Sequence, residues 1–294
     1  MTLKEFVHPI NPSLAIRIES KRVRSTIKNF PWWVGGVILI FLATGGMILT
    51  SANYQNSFTF IRAGLSVTIQ ITLISFGIAL IFGLLTGMGR ISKNIAIKNI
   101  ATLYVELIRG IPMLVLIFFI AFVGVPAAIL GLNAMIDWLV ASGLSGGGIQ
   151  FLKLENNSVP MITRAILALS ITYGAFLAEI FRAGIQSVSK GQMEAARAQG
   201  LNYWQAMRYV ILPQAIRNVL PALGNDFVSM LKDSSLVSVL AVRDITQIAK
   251  LYAGRSFQYQ ETYITLAVLY LSMTIVLSGF VKLIENRYHH SDRN

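Results

Sequence analysis

The chain has no cysteine, which excludes disulfides, Cys-based zinc sites and iron–sulfur clusters. Its three histidines (His8, His289 and His290) lie in the two tails and do not build a buried metal or catalytic site. Charge is scarce. Only 13% of the 294 residues are charged, against about 25% in ordinary soluble domains. Hydrophobic residues make up 54%. A soluble monomer of this length cannot hide so much apolar surface, so the composition points to the bilayer as solvent. No G-x-x-x-x-G-K-[ST] loop is present. The nearest glycine cluster, Gly83, Gly87 and Gly89 before Arg90, lacks the Lys-Ser/Thr ending and suits close helix packing instead. Nor is there a G-x-S-x-G, H-E-x-x-H or EF-hand pattern. Any nucleotide-driven work must therefore draw on another subunit.

What is present is a series of apolar runs, each near the 20 or so residues needed to cross a bilayer. They are Trp33 to Ala52, Leu65 to Met88, Ile111 to Leu130, Ile162 to Phe181, Val219 to Val242 and Tyr263 to Leu283. These predict an all-α membrane protein with six transmembrane helices. Trp32 and Trp33 stand where interfacial anchors belong. The tail before the first run is long and Thr50-Ser51-Ala52 is a weak cleavage site, so this run is read as an uncleaved span. The fifth run is interrupted by Asn225, Asp226, Lys232 and Asp233. Gly131 to Pro160, with Ser142 to Gly148 rich in glycine, reads as a flexible outside loop.

The net charge of +12 would suggest nucleic acid in a soluble protein, but here the basic residues sit between apolar runs. Most cluster in alternate segments: the N-tail (Lys4, Arg17, Lys21, Arg22, Arg24, Lys28), the stretch before the third run, the stretch after the fourth, and the C-tail. By the positive-inside rule both termini are cytoplasmic, which an even span count also requires.

Within the segment after the fourth run, Gln192 to Gln199 is a strong helix former and Gly200 suits a left-handed C-cap. Asn202 suits the N-cap of a second helix, Tyr203 to Ile211, and Pro213 predicts a break before the next span. The result is a two-helix knob at a glycine corner on the cytoplasmic face.

Gly191-Gln192-Met193-Glu194-Ala195-Ala196-Arg197-Ala198-Gln199-Gly200, followed by Val210-Ile211-Leu212-Pro213, resembles the EAA loop of ABC importer permeases, with Val210 in place of the commoner Ile. The flanks agree: Glu106 to Pro112, Ala178 to Ile185, Leu220-Pro221, and Leu231 to Val239. Together they resemble the polar amino acid branch of type I ABC importer permeases, the histidine/glutamine/arginine/glutamate group, over about Leu65 to Leu283. The resemblance implies a non-catalytic permease subunit of the bacterial plasma membrane. Its expected organisation is a basic N-tail (1–31), an added first span with a short outside loop (32–64), a five-span core (65–283) holding the coupling loop (186–213), and a C-tail (284–294). It implies two ATPase subunits, which bind ATP and Mg, since this chain carries no cofactor. It implies a second permease chain, identical or paralogous, and a solute-binding protein outside. The ATPase-coupling residues would be Gly191, Glu194, Ala195, Ala196, Arg197, Gly200, Leu212 and Pro213.

Charges inside a bilayer cost a few kcal/mol each on insertion scales. Asn225, Asp226, Lys232, Asp233, Ser234 and Ser235 offer donors and acceptors for a zwitterionic amino acid. The competing reading is an internal Lys–Asp or inter-helix ion pair. Thr172, Tyr173 and Glu179 are further path candidates. Glu106 with Arg109, and Glu179 with Arg182, are three apart on helical faces and read as structural pairs or gate elements. Arg164 reads as an interface anchor, and Asp244 to Tyr263 as a docking surface for the binding protein. The alternative function is an ion-gradient-driven secondary transporter using Asp226 or Asp233 as proton relay; such a protein needs no cytoplasmic knob.

Overall fold

The computed structural model describes residues 32–143 and 147–289; the basic N-tail lies outside them. Among the described residues there is no strand. Helix α1 (Trp32–Thr50) is apolar all round and packs at the edge of the bundle, burying only Thr44. Helix α2 (Ala52–Ile61) runs through a 3-10 turn (Arg62–Gly64) into α3 (Leu65–Arg90). The stretch expected as an outside loop is thus helical. Ser57 and Ile61 bury one face of α2, and Ile61 packs with Ile245, Ala249 and Leu266. Asn53 on its exposed face bonds Gln258 and Glu261.

Helix α4 (Ile95–Gly110) starts at Asn94, whose side chain accepts the Ala96 and Ile97 N–H groups. It stops at Ile111, which Pro112 holds in the extended region. Then come α5 (Met113–Phe119), a π turn (Ile120–Gly124) and α6 (Val125–Ala141). The helix therefore continues well past Leu130, and the outside loop begins only at Ser142. Helix α7 (Met161–Ser187) is the core of the bundle and α3 packs along it. The contact depends on small residues: a Cβ on Gly83 would lie 2.6 Å from the Leu177 Cβ, and one on Gly87 would lie 2.8 Å from the Ala178 carbonyl oxygen.

Two short helices, α8 (Lys190–Ala198) and α9 (Tyr203–Ala206), lead through a second π turn (Met207–Ile211) into α10 (Leu212–Asp233). A 3-10 segment (Ser234–Leu240), α11 (Ile245–Ser256) and α12 (Tyr259–His289) complete the chain. Among the described residues, five helices are long and apolar enough to cross a membrane: Trp32–Thr50, Ala52–Arg90, Met113–Ala141, Met161–Ser187 and Tyr259–Arg287. The run Val219 to Val242 is not a sixth of the same kind. Its helix begins earlier, at Leu212, and ends at Asp233, and one face carries Asn218, Asn225 and Lys232 at seven-residue spacing.

The π turns share a cause. Pro126 and Pro213 each stand two residues past the end of one, and a proline offers no N–H and crowds the carbonyl four residues back. The wider turn relieves that crowding, so Pro213 does not break the chain as expected; it sits in the first turn of a continuous helix. In the first turn Val125 N–H bonds the Ile120 carbonyl, which leaves the Ala121 carbonyl without a helical donor. Arg164 fills that role. It is 3% exposed, not an interface anchor, and Nη1 donates to the Ala121 carbonyl at 2.8 Å. Nε donates to the Val159 carbonyl and Nη2 to the backbone and side-chain oxygens of Asn156. Arg164→Lys cannot reproduce this fork and is expected to cost about 1–2 kcal/mol, read as a lower Tm of the detergent-solubilised protein. An unchanged Tm would refute this bracing role.

Candidate functional site

The knob closes as a Schellman motif. Gly200 sits at φ +87°, its N–H bonds the Arg197 carbonyl at 3.0 Å, and the Leu201 N–H bonds the Ala196 carbonyl at 3.2 Å. The next helix opens with a capping box: Asn202 accepts from the Gln205 N–H, and the Gln205 side chain accepts from the Asn202 N–H. Ala196 alone on α8 is buried; Gly191, Glu194, Ala195, Arg197 and Gly200 are exposed. Below, Ile185, Met207, Ile211 and Ala215 form a small core against Met88 and Met193, with Leu212 packed on it. Gln214 bonds the Val210 carbonyl, and Asn218 bonds the Ser187 hydroxyl at 2.8 Å. So the knob is a preorganised element anchored on the bundle, with Glu194 and Arg197 displayed. Pro213 is exposed at its base. A Cβ on Gly191 would meet only the Ser189 hydroxyl at 3.6 Å, so geometry alone does not demand glycine there.

The path candidates lie on α7, α10 and the 3-10 segment that follows it. Tyr173 and Asp233 are brought together: the phenol donates to the carboxylate at 2.6 Å. The Thr172 hydroxyl is buried and has no hydrogen-bond partner among the described residues. Ser234 is buried and donates to the Leu231 carbonyl, while Ser235 is half-buried. Asn225 and Lys232 are exposed on one face, and Asp226 is half-buried. Lys232 forms no ion pair among the described residues, so the geometry does not contain the internal Lys–Asp pair.

A third constellation ties α3, α4 and α7. Glu179 accepts from Arg90, from Arg109 at 3.1 Å and from Arg182 at 2.8 Å. Glu106 instead meets Arg90 at 3.6 Å. The expected Glu179–Arg182 pair forms, but Glu106 and Arg109 look away from each other to different helices. Arg109 also lies over the Phe176 ring. Sequence reasoning missed Arg90 as a member. The signal was its place at the end of the glycine-rich α3, whose close approach to α7 brings it to Glu179.

Outside the spans, Asp244 is buried and caps α11, accepting the Gln247 N–H at 2.8 Å and the Thr246 N–H at 3.2 Å. Burial pushes its carboxyl above the ordinary carboxylate range, against those donors. Gly64 allows the fit, since a Cβ there would lie 2.6 Å from the Asp244 backbone. Arg255 and Gln260 on the same outer segment are exposed.

Among the described residues the chain is an all-helical bundle with membrane-length helices and an ordered knob on short helices. The chain belongs to the family described as the binding-protein-dependent transport system inner membrane component, which matches residues 79–290. Its members are non-catalytic permease subunits of ABC transporters in the inner membrane. The chain is 37% identical over 236 residues to the probable glutamine ABC transporter permease protein GlnM of Bacillus subtilis (strain 168), covering 80% of this chain and 96% of that one. It is 32% identical to the glutamine transport system permease protein GlnP of Escherichia coli (strain K12), over 76% of this chain and 90% of that one. Among solved structures it resembles the crystal structure of an amino acid ABC transporter with histidines. The TM-score is 0.62 at 36% identity, covering 82% of this chain and 98% of that one. The inward-facing MetNI methionine ABC transporter shares the fold, with a TM-score of 0.57 at 18% identity over 78% of this chain and 96% of that one.

Proposed function

We propose that this chain is the transmembrane subunit of an ATP-driven importer that moves polar amino acids inward. It pairs with a second permease chain, two ATPase subunits that bind ATP and Mg, and an extracytoplasmic solute-binding protein. The observation that carries the reading is the closed knob at Gly200, with Glu194 and Arg197 displayed and Met193 and Ala196 turned inward. Glu194 to Gly200 enters a cleft on an ATPase subunit. ATP-driven closure of the ATPase pair then pushes the knob, and its small core against Met88 transmits the push to α3 and α10. That partner stabilises one of two states of the bundle differentially. Both termini are cytoplasmic, and α10 with its 3-10 extension makes a sixth crossing whose polar face borders a cavity shared with the second permease chain. The relatives are matched nearly end to end while about a fifth of this chain is left over, which supports reading the N-tail and α1 as an addition to a five-span core.

In the path, Asn225, Asp226 and Lys232 meet the substrate's charged ends, and Tyr173 holds Asp233 in place. Asp233→Asn is expected to change the KM for substrate by about five-fold or more while the complex still assembles. An unchanged KM would reduce Tyr173–Asp233 to a structural bond. The decisive experiment is uptake of a radiolabelled amino-acid panel into liposomes holding the assembled complex, with ATP inside and the binding protein outside. Uptake requiring both supports the importer and names the substrate. Uptake that follows an ion gradient without any ATPase overturns it.

A further inference from the structure

A groove runs along the inner end of α3, between α4 and the knob. Its outer part, a cavity of about 530 Å³, is bounded by Lys93, Arg197, Tyr203 and Trp204 above a floor of Leu85 and Ile97. It continues into a second cavity of about 550 Å³, lined by Phe82, Leu85, Ile97, Ile100 and Tyr104. Leu85, Gly89 and Ile97 are common to both, so the two form one channel that is cationic at one end and apolar along the rest.

We propose that this groove holds an anionic phospholipid, its phosphate at Lys93 and an acyl chain along Leu85, Ile97 and Phe82. Four observations support a lipid. Lys93 forms no ion pair among the described residues. The turn that carries Lys93 is already satisfied: the Asn94 N–H donates to the Ser92 hydroxyl, and the Asn94 side chain caps α4, so these polar groups need no further partner. Trp204 is 68% exposed beside Tyr203 at the level where α3 ends, the position of an interfacial aromatic. Finally, Phe82 lies eight residues before Arg90, so the apolar part descends about 12 Å into the bilayer. A soluble partner docking on the cytoplasmic face does not reach that depth, but an acyl chain does. The side is open to lipid, because Ile97 and Ile100 on α4 are exposed. Basic pockets between transmembrane helices on the cytoplasmic side are a known chemistry for anionic headgroups. Because the walls belong to both α3 and the knob, an occupying lipid bridges the first core span to the coupling element.

The test is lipid retention by the full chain, and by the assembled complex, released from nanodiscs and weighed by native mass spectrometry. Nanodiscs of phosphatidylcholine alone are compared with nanodiscs containing phosphatidylglycerol. Retained phosphatidylglycerol is expected in both samples and is expected to fall about five-fold in Lys93→Gln. Leu85→Trp, which fills the floor at an exposed position, is expected to lower it too. Inorganic phosphate in excess is expected not to displace it. The proposal is overturned by equal retention of phosphatidylcholine, by displacement with free phosphate while Leu85→Trp has no effect, or by loss of the lipid when the ATPase subunits assemble. The readout is binding, so a failure to transport amino acids leaves it intact.

Discussion

Gly200→Val is expected to abolish ATP-driven uptake while leaving membrane insertion and the Tm of the bundle unchanged. Gly200 occupies φ +87° with open space around its missing side chain, so the penalty is conformational and not a clash. A Cβ in the left-handed region costs roughly 1–2 kcal/mol, and more when the side chain is β-branched. The valine escapes by moving to negative φ, which breaks the Leu201-to-Ala196 and Gly200-to-Arg197 hydrogen bonds and swings α8 away from Asn202. The two bonds, each worth about 1 kcal/mol, oppose that escape and do not add to the strain. The strain itself, about 2 kcal/mol, leaves the competent corner populated on the order of 30-fold less than with glycine. Since the corner is exposed, with nothing within 4 Å of a Cβ there, the fold is spared. Gly200→Asn supplies the control, because asparagine tolerates the left-handed region and is expected to keep a measurable share of uptake. Full uptake by the valine variant, measured in liposomes with ATP and binding protein, would remove the knob from the transport cycle.

The elements that sequence reasoning placed well are those governed by local rules. The knob is one: Gly200 as C-cap and Asn202 as N-cap are consequences of backbone preference, and both stand where expected. The apolar runs are another, because a bilayer-spanning helix announces itself by hydropathy. What local rules do not carry is partner choice between helices. Glu106 was matched to Arg109 by spacing, yet each turns to another helix, Glu106 to Arg90 on α3 and Arg109 to Glu179 on α7. The place of Arg164 near the outer boundary suits an interface anchor; the carbonyl left free by Pro126 draws it inside instead. That need is visible only once α6 and α7 are packed together. The helical stretch of α2 was hidden for a related reason, since its buried face pairs with residues some 190 positions later. The polar residues of the fifth run were legible as unusual, but their sorting into an exposed Lys232 and a Tyr173-bound Asp233 depends on which face α7 covers.

Glu179→Gln is expected to give the largest loss of stability in the bundle. Three arginines converge on this carboxylate, and its side chain is only 20% exposed. The three do not suffer equally. Arg109 and Arg182 are 43% and 36% exposed and can turn their guanidinium groups to water. Arg90 is 12% exposed and keeps only Glu106, at 3.6 Å and itself largely solvated. Breaking a buried pair from one side costs about 3–5 kcal/mol because a charge is left without compensation. The exposed arginines are screened, so the lower end of that range applies, about 3 kcal/mol. The loss falls at the point where α3, α4 and α7 meet, and is read as a drop in Tm and in yield of assembled complex. A double-mutant cycle separates this account from simple loss of packing. Removing the stranded charge as well, in Glu179→Gln with Arg90→Met, is expected to recover more than half of the lost Tm, a coupling of about 1–3 kcal/mol. If the two substitutions add instead, the carboxylate and Arg90 do not depend on each other, and the network is held by helix packing alone.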